Sequence, residues 1–365
     1  MNSGNPQNES SSSEAAEGDQ MAMVAARHSL VKCVARALRH EYGAHEARLL
    51  VGVSGGCDSV ALLRAVNFLR SRRSFKHEIV VGHVQHHLRD EAAEEDARFV
   101  QGMAKGLGLV YDRADLDLSG AANVEQAARD GRYAALIGMA EKHGCGLIAT
   151  AHHADDQLET LLMRMLRGSA AAGLRGIVAE RELDGTEVRL IRPMLEVTRA
   201  AAEDFLRQIG QSWREDHTNA DVTRMRARLR HEVLPVLREI QTDAPEKAVG
   251  LADHMRALDE LVKKQVVLLM RQVLPEGPAE IEDGAARVRL NRALLRATEP
   301  VVLLPFLKEI VQVAGRNPDR VGRRVLEPLL KAIKDRHGHE RVFDVGSGVV
   351  LVLSRDHLEL VRDTK

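Results

Sequence analysis

A turn with the residue types of a phosphate site is the first chemical feature of this sequence. In the segment Leu49–Ser59, an apolar run is followed by Ser54, Gly55, Gly56, Cys57, Asp58 and Ser59. Glycine lacks a Cβ, so the backbone there can approach a phosphate closely. Backbone N–H groups at a helix N-terminus also attract anionic oxygens. The alternative is an ordinary strand-to-helix turn in which an Asp or Ser side chain caps the helix.

A second feature brings acidic and histidine side chains together in the segment Thr150–Thr160. On a helix, Asp156 and Glu159 share a face, whereas Asp155 points elsewhere. Two carboxylates beside bound phosphates would repel them unless they hold Mg²⁺ or a cationic substrate. Two alternatives stay open: the side chains only favour the helix N-terminus and fill a strand end, or they bind zinc. The candidate zinc ligands are His152, His153 and Asp156.

Arginine residues form a third feature at two places in the sequence. Arg129 and Arg132 lie three residues apart in a predicted helix, and a dense basic run contains Arg224, Arg226, Arg228 and Arg230. On a helix only pairs such as Arg226 and Arg230 share a face. Contact with nucleic-acid phosphates is the functional interpretation of the run, and a solvated helix face is the alternative for both places.

The elements that position these residues follow an alternating pattern. Apolar strands are predicted at the start of Leu49–Ser59 and at Ile79–Val84, Leu109–Asp112 and Leu147–Thr150, with helices between them. This alternation predicts an α/β fold with a doubly wound parallel sheet. Ligands of such sheets bind beyond the carboxyl ends of the strands. The loops expected at that rim are Ser54–Ser59, His83–Arg89 and His152–Glu159.

Three regions are predicted along the chain. Residues 1–20 are acidic and polar, and we expect them to be disordered. Residues 21–241 form the predicted catalytic domain. Residues 242–365 form a smaller C-terminal α+β domain, with three helices followed by an antiparallel sheet that turns at Gly346–Gly348 and at Arg355 and Asp356.

Composition narrows the class of protein. The net charge is −1, but residues 1–20 carry four acidic and no basic residues, so the remainder sums to +3 and any RNA contact must come from local patches. The N-terminus lacks the pattern of a signal peptide, and no apolar run approaches membrane-spanning length. Three scattered cysteines form neither a disulfide framework nor a CxxC pair. A cytoplasmic protein without membrane contact is expected.

The turn resembles a known phosphate loop. It is neither the GxxxxGKS/T loop nor the dinucleotide GxGxxG motif. The run from Ser54 to Ser59 is similar to the SGGxDS pyrophosphate loop of ATP pyrophosphatases, which cleave ATP between the α and β phosphates to adenylate a substrate. The resemblance implies ATP as cofactor and an adenine nucleotide α-hydrolase-like fold.

A closer resemblance covers about residues 49–237. The segments that follow the order and spacing of the tRNA(Ile)-lysidine synthetases are HVQHHLRDEA, VEQAARDGRYAAL, TAHHADDQLETLLMRMLRGS, GLRGI, IRPML and WREDHTNADVTRMRARLRHEVLP. In that family, ATP adenylates O2 of the wobble cytidine of an isoleucine tRNA with a CAU anticodon. The ε-amine of free L-lysine then attacks C2, and AMP leaves. The last 120 or so residues resemble the family only loosely, and we expect them to contact tRNA.

The resemblance implies roles for particular residues. Ser54–Ser59 would hold the triphosphate, and the residues that would hold Mg²⁺ and help to seat the lysine ammonium are Asp58, Asp156 and Glu159. Arg129 and Arg132 match an AR-x-x-RY motif and would face phosphates or the adenylated base. The oligomeric state stays open, with a homodimer as one option.

The chain departs from the family at one segment. Ala227 stands where the family has Asn, and Arg224 stands where an aromatic residue is expected. Trp213 occupies the family's Trp position, and we expect it to pack rather than stack on a base. Two rival functions remain: another adenylating amidotransferase or thiolase of the same loop family, and a tRNA-binding module with degraded chemistry. The thiolases that resemble this fold need cysteine pairs that the chain lacks.

Overall fold

The computed structural model describes most of the chain. The described residues are 23–42, 48–70, 72, 78–85, 90–117, 124–168, 171–215, 225–273, 288–313, 323–335, 339–345 and 349–362. The predicted tail 1–20, residues 86–89 of the second rim loop, Arg224 and the turn 346–348 lie outside them. The chain forms two compact units, Met1–His254 and Met255–Lys365.

The first unit contains a six-stranded sheet. Its strands are β1 (Arg48–Gly52), β2 (Ile79–Gln85), β3 (Val110–Asp115), β4 (Cys145–Ala149), β5 (Glu180–Glu182) and β6 (Arg189–Ile191). Their order is β3-β2-β1-β4-β6-β5. All neighbours are parallel except β5, which pairs antiparallel with β6 across a turn that contains Asp184 and Gly185. The predicted doubly wound α/β fold is confirmed.

Helices accompany this sheet. They are α1 (Ser29–Tyr42), α2 (Cys57–Arg70), α3 (Asp90–Gly106), α4 (Val124–His143), α5 (Ala154–Leu166), α6 (Arg199–Gln208), α7 (Met225–Arg228) and α8 (Leu234–Ile240). A π-helical turn, Leu229–Val233, joins α7 to α8. Pro235 lies in the first turn of α8, where a missing N–H costs least, so this proline is accommodated at the start of a helix.

Strand side chains alternate between two cores. Leu49 and Val51 pack with residues of α1, α2 and α6, whereas Leu50 and Ile148 pack with residues of α4 on the other face. This division follows from the two-residue period of a strand. Because both faces are covered, the inner strands β1, β2 and β4 are largely apolar, which is why they were recognisable in the sequence. The strands β3 and β5 carry several charged residues.

The second unit combines helices with an antiparallel sheet. Helix α9 (Ala244–Val273) contains the division between the two units, and α10 (Arg292–Ala297), α11 (Pro300–Val313) and α12 (Arg323–Lys334) follow. The strands β7 (Val288–Asn291), β8 (Arg341–Asp344), β9 (Val349–Leu353) and β10 (His357–Arg362) have the order β7-β10-β9-β8. The predicted antiparallel sheet is confirmed, and β7 is an addition to it. None of the helices in the described ranges is long and apolar enough to cross a membrane.

Candidate active site

The Ser-Gly-Gly turn leads from β1 directly into α2. The Ser59 hydroxyl donates to the Gly56 carbonyl oxygen at 2.9 Å and accepts from the Ser54 N–H at 3.2 Å. Gly55 has φ of 98°, a backbone conformation that other residues rarely adopt. Here the glycine is required by conformation rather than by space, because a Cβ at this position would make only ordinary van der Waals contacts. The loop is therefore closed by its own serine, with α2 beginning at Cys57.

One histidine connects the tips of β1 and β4. The Nε2 atom of His153, which follows β4, lies 3.4 Å from Asp58 Oδ2 and 3.6 Å from Asp156 Oδ2. Its Nδ1 atom lies 3.4 Å from Asp155 Oδ2. His153 is buried, so these contacts are shielded from water. The structure thus brings the predicted phosphate loop and the predicted acidic pair to one place.

The neighbouring carboxylates of α5 diverge as helical geometry requires. Asp156, in the first turn, accepts the N–H of His153 at 3.1 Å. Asp155 instead accepts the N–H of Arg199 at 2.7 Å and pairs with Arg238. Asp155 therefore ties α5 to α6 and α8, and the predicted divergence of Asp155 from Asp156 is confirmed.

Two arginines of the basic run lie on the acidic pair. Arg226 donates to Glu159 at 2.8 Å and to Asp156 at 3.1 Å. Arg230 donates to Glu159 at 2.7 Å and to Asp156 at 3.4 Å. Glu159 is 1 % exposed, so its charge depends on these partners. The prediction that Arg226 and Arg230 share a helix face is confirmed, and their proposed contact with tRNA stays a prediction.

The other predicted residues lie in less enclosed surroundings. Arg228 is exposed and pairs with Glu232 one turn later. Arg129 and Arg132 are exposed on α4. Trp213 packs against the core that contains β1, as expected. The sequence did not identify His153 as the central residue or Arg238 as a carboxylate partner, since neither contact has a signature in residue spacing.

The pKa values of the two adjacent histidines are shifted in opposite directions. Burial lowers the pKa of His152 to about 3, assisted by Arg192, Arg226 and Arg129. Burial would also lower the pKa of His153, but Asp156, Asp155 and Asp58 outweigh it and raise that pKa to about 10. At neutral pH, His152 is therefore neutral and His153 is an imidazolium ion within a group of carboxylates.

These shifts predict a stability optimum in the protein freed of nucleotide and divalent cations. The unfolded chain binds the extra proton on His152 below about pH 6.5, so stability falls as the pH drops from there towards 3. The folded protein keeps the extra proton on His153, so stability falls as the pH rises from about 6.5 towards 10. Urea unfolding in EDTA across this range measures both slopes.

A matched pair of variants assigns the two slopes. His152→Gln should flatten the slope between about pH 6.5 and 4, and His153→Gln the slope above about pH 6.5. Below about pH 4 both substitutions also change the titration of Asp156. Stability that varies equally in both variants and in the unaltered protein would contradict the assignment.

The described part of the chain was searched for metal-binding clusters. Within it, no three His, Cys, Asp or Glu side chains are arranged to hold a metal ion. Neither the candidate zinc ligands His152, His153 and Asp156 nor the predicted magnesium ligands Asp58, Asp156 and Glu159 form such a group in the described residues. Asp58 Oδ1, however, is buried and has no hydrogen-bond partner. An orphaned carboxylate oxygen of this kind fits a cation that arrives with a phosphate ligand, because Mg²⁺ sites commonly use one or two carboxylates plus substrate phosphates.

The fold and the loop define the class of protein. A family model described as the PP-loop domain matches residues 27–237, more than half of the chain. The chain belongs to this family. A U34-tRNA thiolase from Methanococcus maripaludis, solved with its 4Fe–4S cluster, has a similar fold, with a TM-score of 0.50 at 15 % identity over 62 % of this chain and 78 % of that chain.

More specific relatives carry the name tRNA(Ile)-lysidine synthase. The protein of that name from Deinococcus deserti is 46 % identical over 68 % of this chain and 42 % of its own length. Those from Geobacillus kaustophilus and Geobacter sulfurreducens are 39 % and 36 % identical over 73 % and 80 % of this chain, and 58 % and 62 % of their own lengths. The resemblance found in the sequence is confirmed. The chain spans between about two fifths and two thirds of the length of these relatives.

Proposed function

We propose that the chain is an ATP-dependent ligase that joins free lysine to C2 of the wobble cytidine in an isoleucine tRNA with a CAU anticodon. The observation that carries this proposal is the position of His153, within 3.4 Å of Asp58 on the loop side and 3.6 Å of Asp156 on the acidic side. A triphosphate and a cationic amine would then meet between two neighbouring strands. The relatives named tRNA(Ile)-lysidine synthase support the choice of substrates.

The proposed reaction has two steps. Cytidine O2 attacks the α-phosphorus of ATP, an O–P bond forms, and pyrophosphate leaves as the bond to the bridging oxygen breaks. The lysine ammonium loses a proton to water, and its ε-amine then attacks C2. A C–N bond forms, the C2–O bond breaks so that O2 leaves on AMP, and a second proton of the amine is released to water. The main requirements are positioning and neutralisation of charge.

Residues of this chain would meet those requirements as follows. Ser54–Ser59 bind the triphosphate, and Mg²⁺, when bound, neutralises phosphate charge. Asp58 would hold that ion through its orphaned oxygen. Asp156, which contacts the same His153 nitrogen as Asp58, and its neighbour Glu159 are the other acids proposed for it. The pKa of Asp156 is held at about 2: burial opposes this, but His153, His152 and Arg226 outweigh it. An acid that is ionised in this way attracts an ammonium group rather than acting as a base.

The lysine ammonium would share the acidic pair with Arg226 and Arg230. Each carboxylate has two oxygens and accepts several hydrogen bonds, so an additional donor can be seated once a guanidinium shifts. Arg129 and Arg132 are proposed to contact phosphates or the adenylated base. Arg224 and Arg228 are proposed to contact the tRNA. The C-terminal region, residues 242–365, is proposed to bind tRNA outside the anticodon, in a cytoplasmic enzyme.

The test is mass spectrometry of nucleosides after incubation with the isoleucine tRNA transcript, ATP, Mg²⁺ and isotope-labelled lysine. We expect labelled lysidine, together with AMP and pyrophosphate, only when all components are present. A methionine tRNA with the same CAU anticodon is the matched control and should stay unmodified. Incorporation of ammonia or sulfur in place of lysine would favour the rival enzymes, and binding of tRNA without any nucleoside product would favour the non-enzymatic rival.

A further inference from the structure

A group of cationic side chains surrounds Tyr133 on α4. The Arg181 guanidinium lies 5.0 Å from the centre of the Tyr133 ring, and that of Arg129 lies 5.8 Å from it. Arg192, directly after β6, is buried beside them and donates to the Val178 carbonyl oxygen at 2.7 Å. We call Arg129, Arg181 and Arg192 the arginine cluster.

The positive charge of the arginine cluster is not balanced by acids. Among the residues that the structure describes, no carboxylate forms an ion pair with any of these three arginines. The Nε atom of Arg192 is buried without an acceptor. Burial lowers the pKa of Arg192; the charge of Tyr133 and a hydrogen bond with its side chain oppose this, and the nearby charges of Arg181 and Arg129 lower the pKa further. Three neighbouring cations without a carboxylate partner in the described part of the chain, one of them buried, mark a candidate functional site, and their sign fits an anion.

The position of the cluster along the rim indicates which anion. The sheet order places β4 between β1 and β6. The phosphate loop follows β1, the acidic pair follows β4, and Arg192 follows β6. Neighbouring strands lie about 5 Å apart, so the cluster lies on the far side of the acidic pair from the phosphate loop. An anion bound there is distinct from the triphosphate held by Ser54–Ser59.

We propose that the arginine cluster binds a phosphodiester group of the RNA substrate next to the nucleotide that is modified. This inference rests on the proposed function, in which the cytidine must reach the acidic pair while ATP lies beyond it. Two guanidiniums placed against one aromatic ring, with a third fixed by a backbone carbonyl, lose little freedom on binding a phosphate. The cluster would thereby hold the RNA strand on one side of the reacting base.

The experiment compares Arg181→Ala with Arg189→Ala. Both residues belong to the β5–β6 hairpin, but Arg189 already pairs with Glu180 at 2.6 Å. Binding of the full-length tRNA is measured over a series of KCl concentrations. We expect Arg181→Ala to weaken binding roughly tenfold and to reduce the slope of log Kd against log salt by about 0.7, the value for one lost contact to single-stranded RNA. Arg189→Ala should behave as the unaltered protein does.

A methylphosphonate, which removes the charge of one phosphate, locates the contact. Placed on either side of the wobble cytidine, it should weaken binding by the unaltered protein at one of the two positions, and Arg181→Ala should show no further loss there. Equal binding by both arginine variants, or losses that simply add, would overturn the inference. So would a loss of ATP binding in Arg181→Ala with unchanged RNA binding.

The outcome is distinguishable from failure of the proposed function. If the unaltered protein forms no lysidine but the coupling between Arg181 and one phosphate is observed, the ligase proposal fails and the phosphate site stands. If lysidine forms but no coupling is found, the phosphate site is ruled out and the ligase proposal stands.

Discussion

Asp58→Asn should reduce lysidine formation by about 10²- to 10³-fold or more, the range observed when one preorganised electrostatic group is removed from an active site. Asparagine has nearly the same shape but no charge. Asp58 Oδ1 is buried and accepts no hydrogen bond from the protein, so this oxygen is available to a bound cation. Its Oδ2 lies 3.4 Å from the His153 imidazolium, which the substitution would leave with one acid fewer.

The measurements are single-turnover lysidine formation and tRNA binding on the same preparations. Affinity for tRNA should change little, because Asp58 lies in the loop proposed for ATP. Asp204→Asn is the matched control, since Asp204 is an exposed acid on α6 whose polar partners in the described part of the chain are His28 and Gln208. Activity within about threefold of the unaltered protein in Asp58→Asn would remove the main support for Asp58 as a binder of the triphosphate and its cation.

Much of the first unit was predictable because its signals are local. Leu49–Val51 and Ile79–Val81 are continuous apolar runs, as expected for strands that are covered on both faces. Thr198 has the residue type of a helix cap, and its hydroxyl accepts the Ala201 N–H at 3.2 Å at the start of α6. In contrast, β7 was missed, because four residues with alternating apolar and polar side chains carry little signal until β10 pairs with them.

The location of the candidate site could be predicted from the sequence, but the contacts between its side chains could not. The rule that ligands bind at the carboxyl ends of parallel strands brought Asp58 and Asp156 to one rim, and their contacts with His153 confirm that arrangement. The basic run was interpreted as a nucleic-acid surface, because the sequence does not show whether the partner of an arginine is a phosphate or a carboxylate. Arg226 and Glu159 are 67 residues apart, and nothing in local spacing predicts their contact.

Removing the charge of Glu159 should destabilise the fold by about 2 to 3 kcal/mol. Breaking a fully buried ion pair costs roughly 3 to 5 kcal/mol, because the remaining charge is left without its partner. The cost here is smaller, since the Arg226 and Arg230 side chains are 34 % and 26 % exposed and keep contact with Asp156. Glu159→Gln tests this by urea unfolding, with the exposed Glu232→Gln, which loses only the Arg228 pair, as a matched control expected within about 0.5 kcal/mol.

A double-mutant cycle then decides what Arg230 contacts. If its main partner is Glu159, Arg230→Ala destabilises the unaltered protein but has little further effect in Glu159→Gln, so the two changes are strongly non-additive. If Arg230 instead serves tRNA phosphates, Arg230→Ala leaves unfolding unchanged and weakens tRNA binding with a lower salt slope. A third result would combine non-additive effects on stability with weaker tRNA binding. It would mean that bound tRNA moves the Arg230 guanidinium away from the acidic pair, so that the acidic pair can bind lysine. Additive stability effects would contradict the carboxylate contacts as the reason that Arg230 occupies this position.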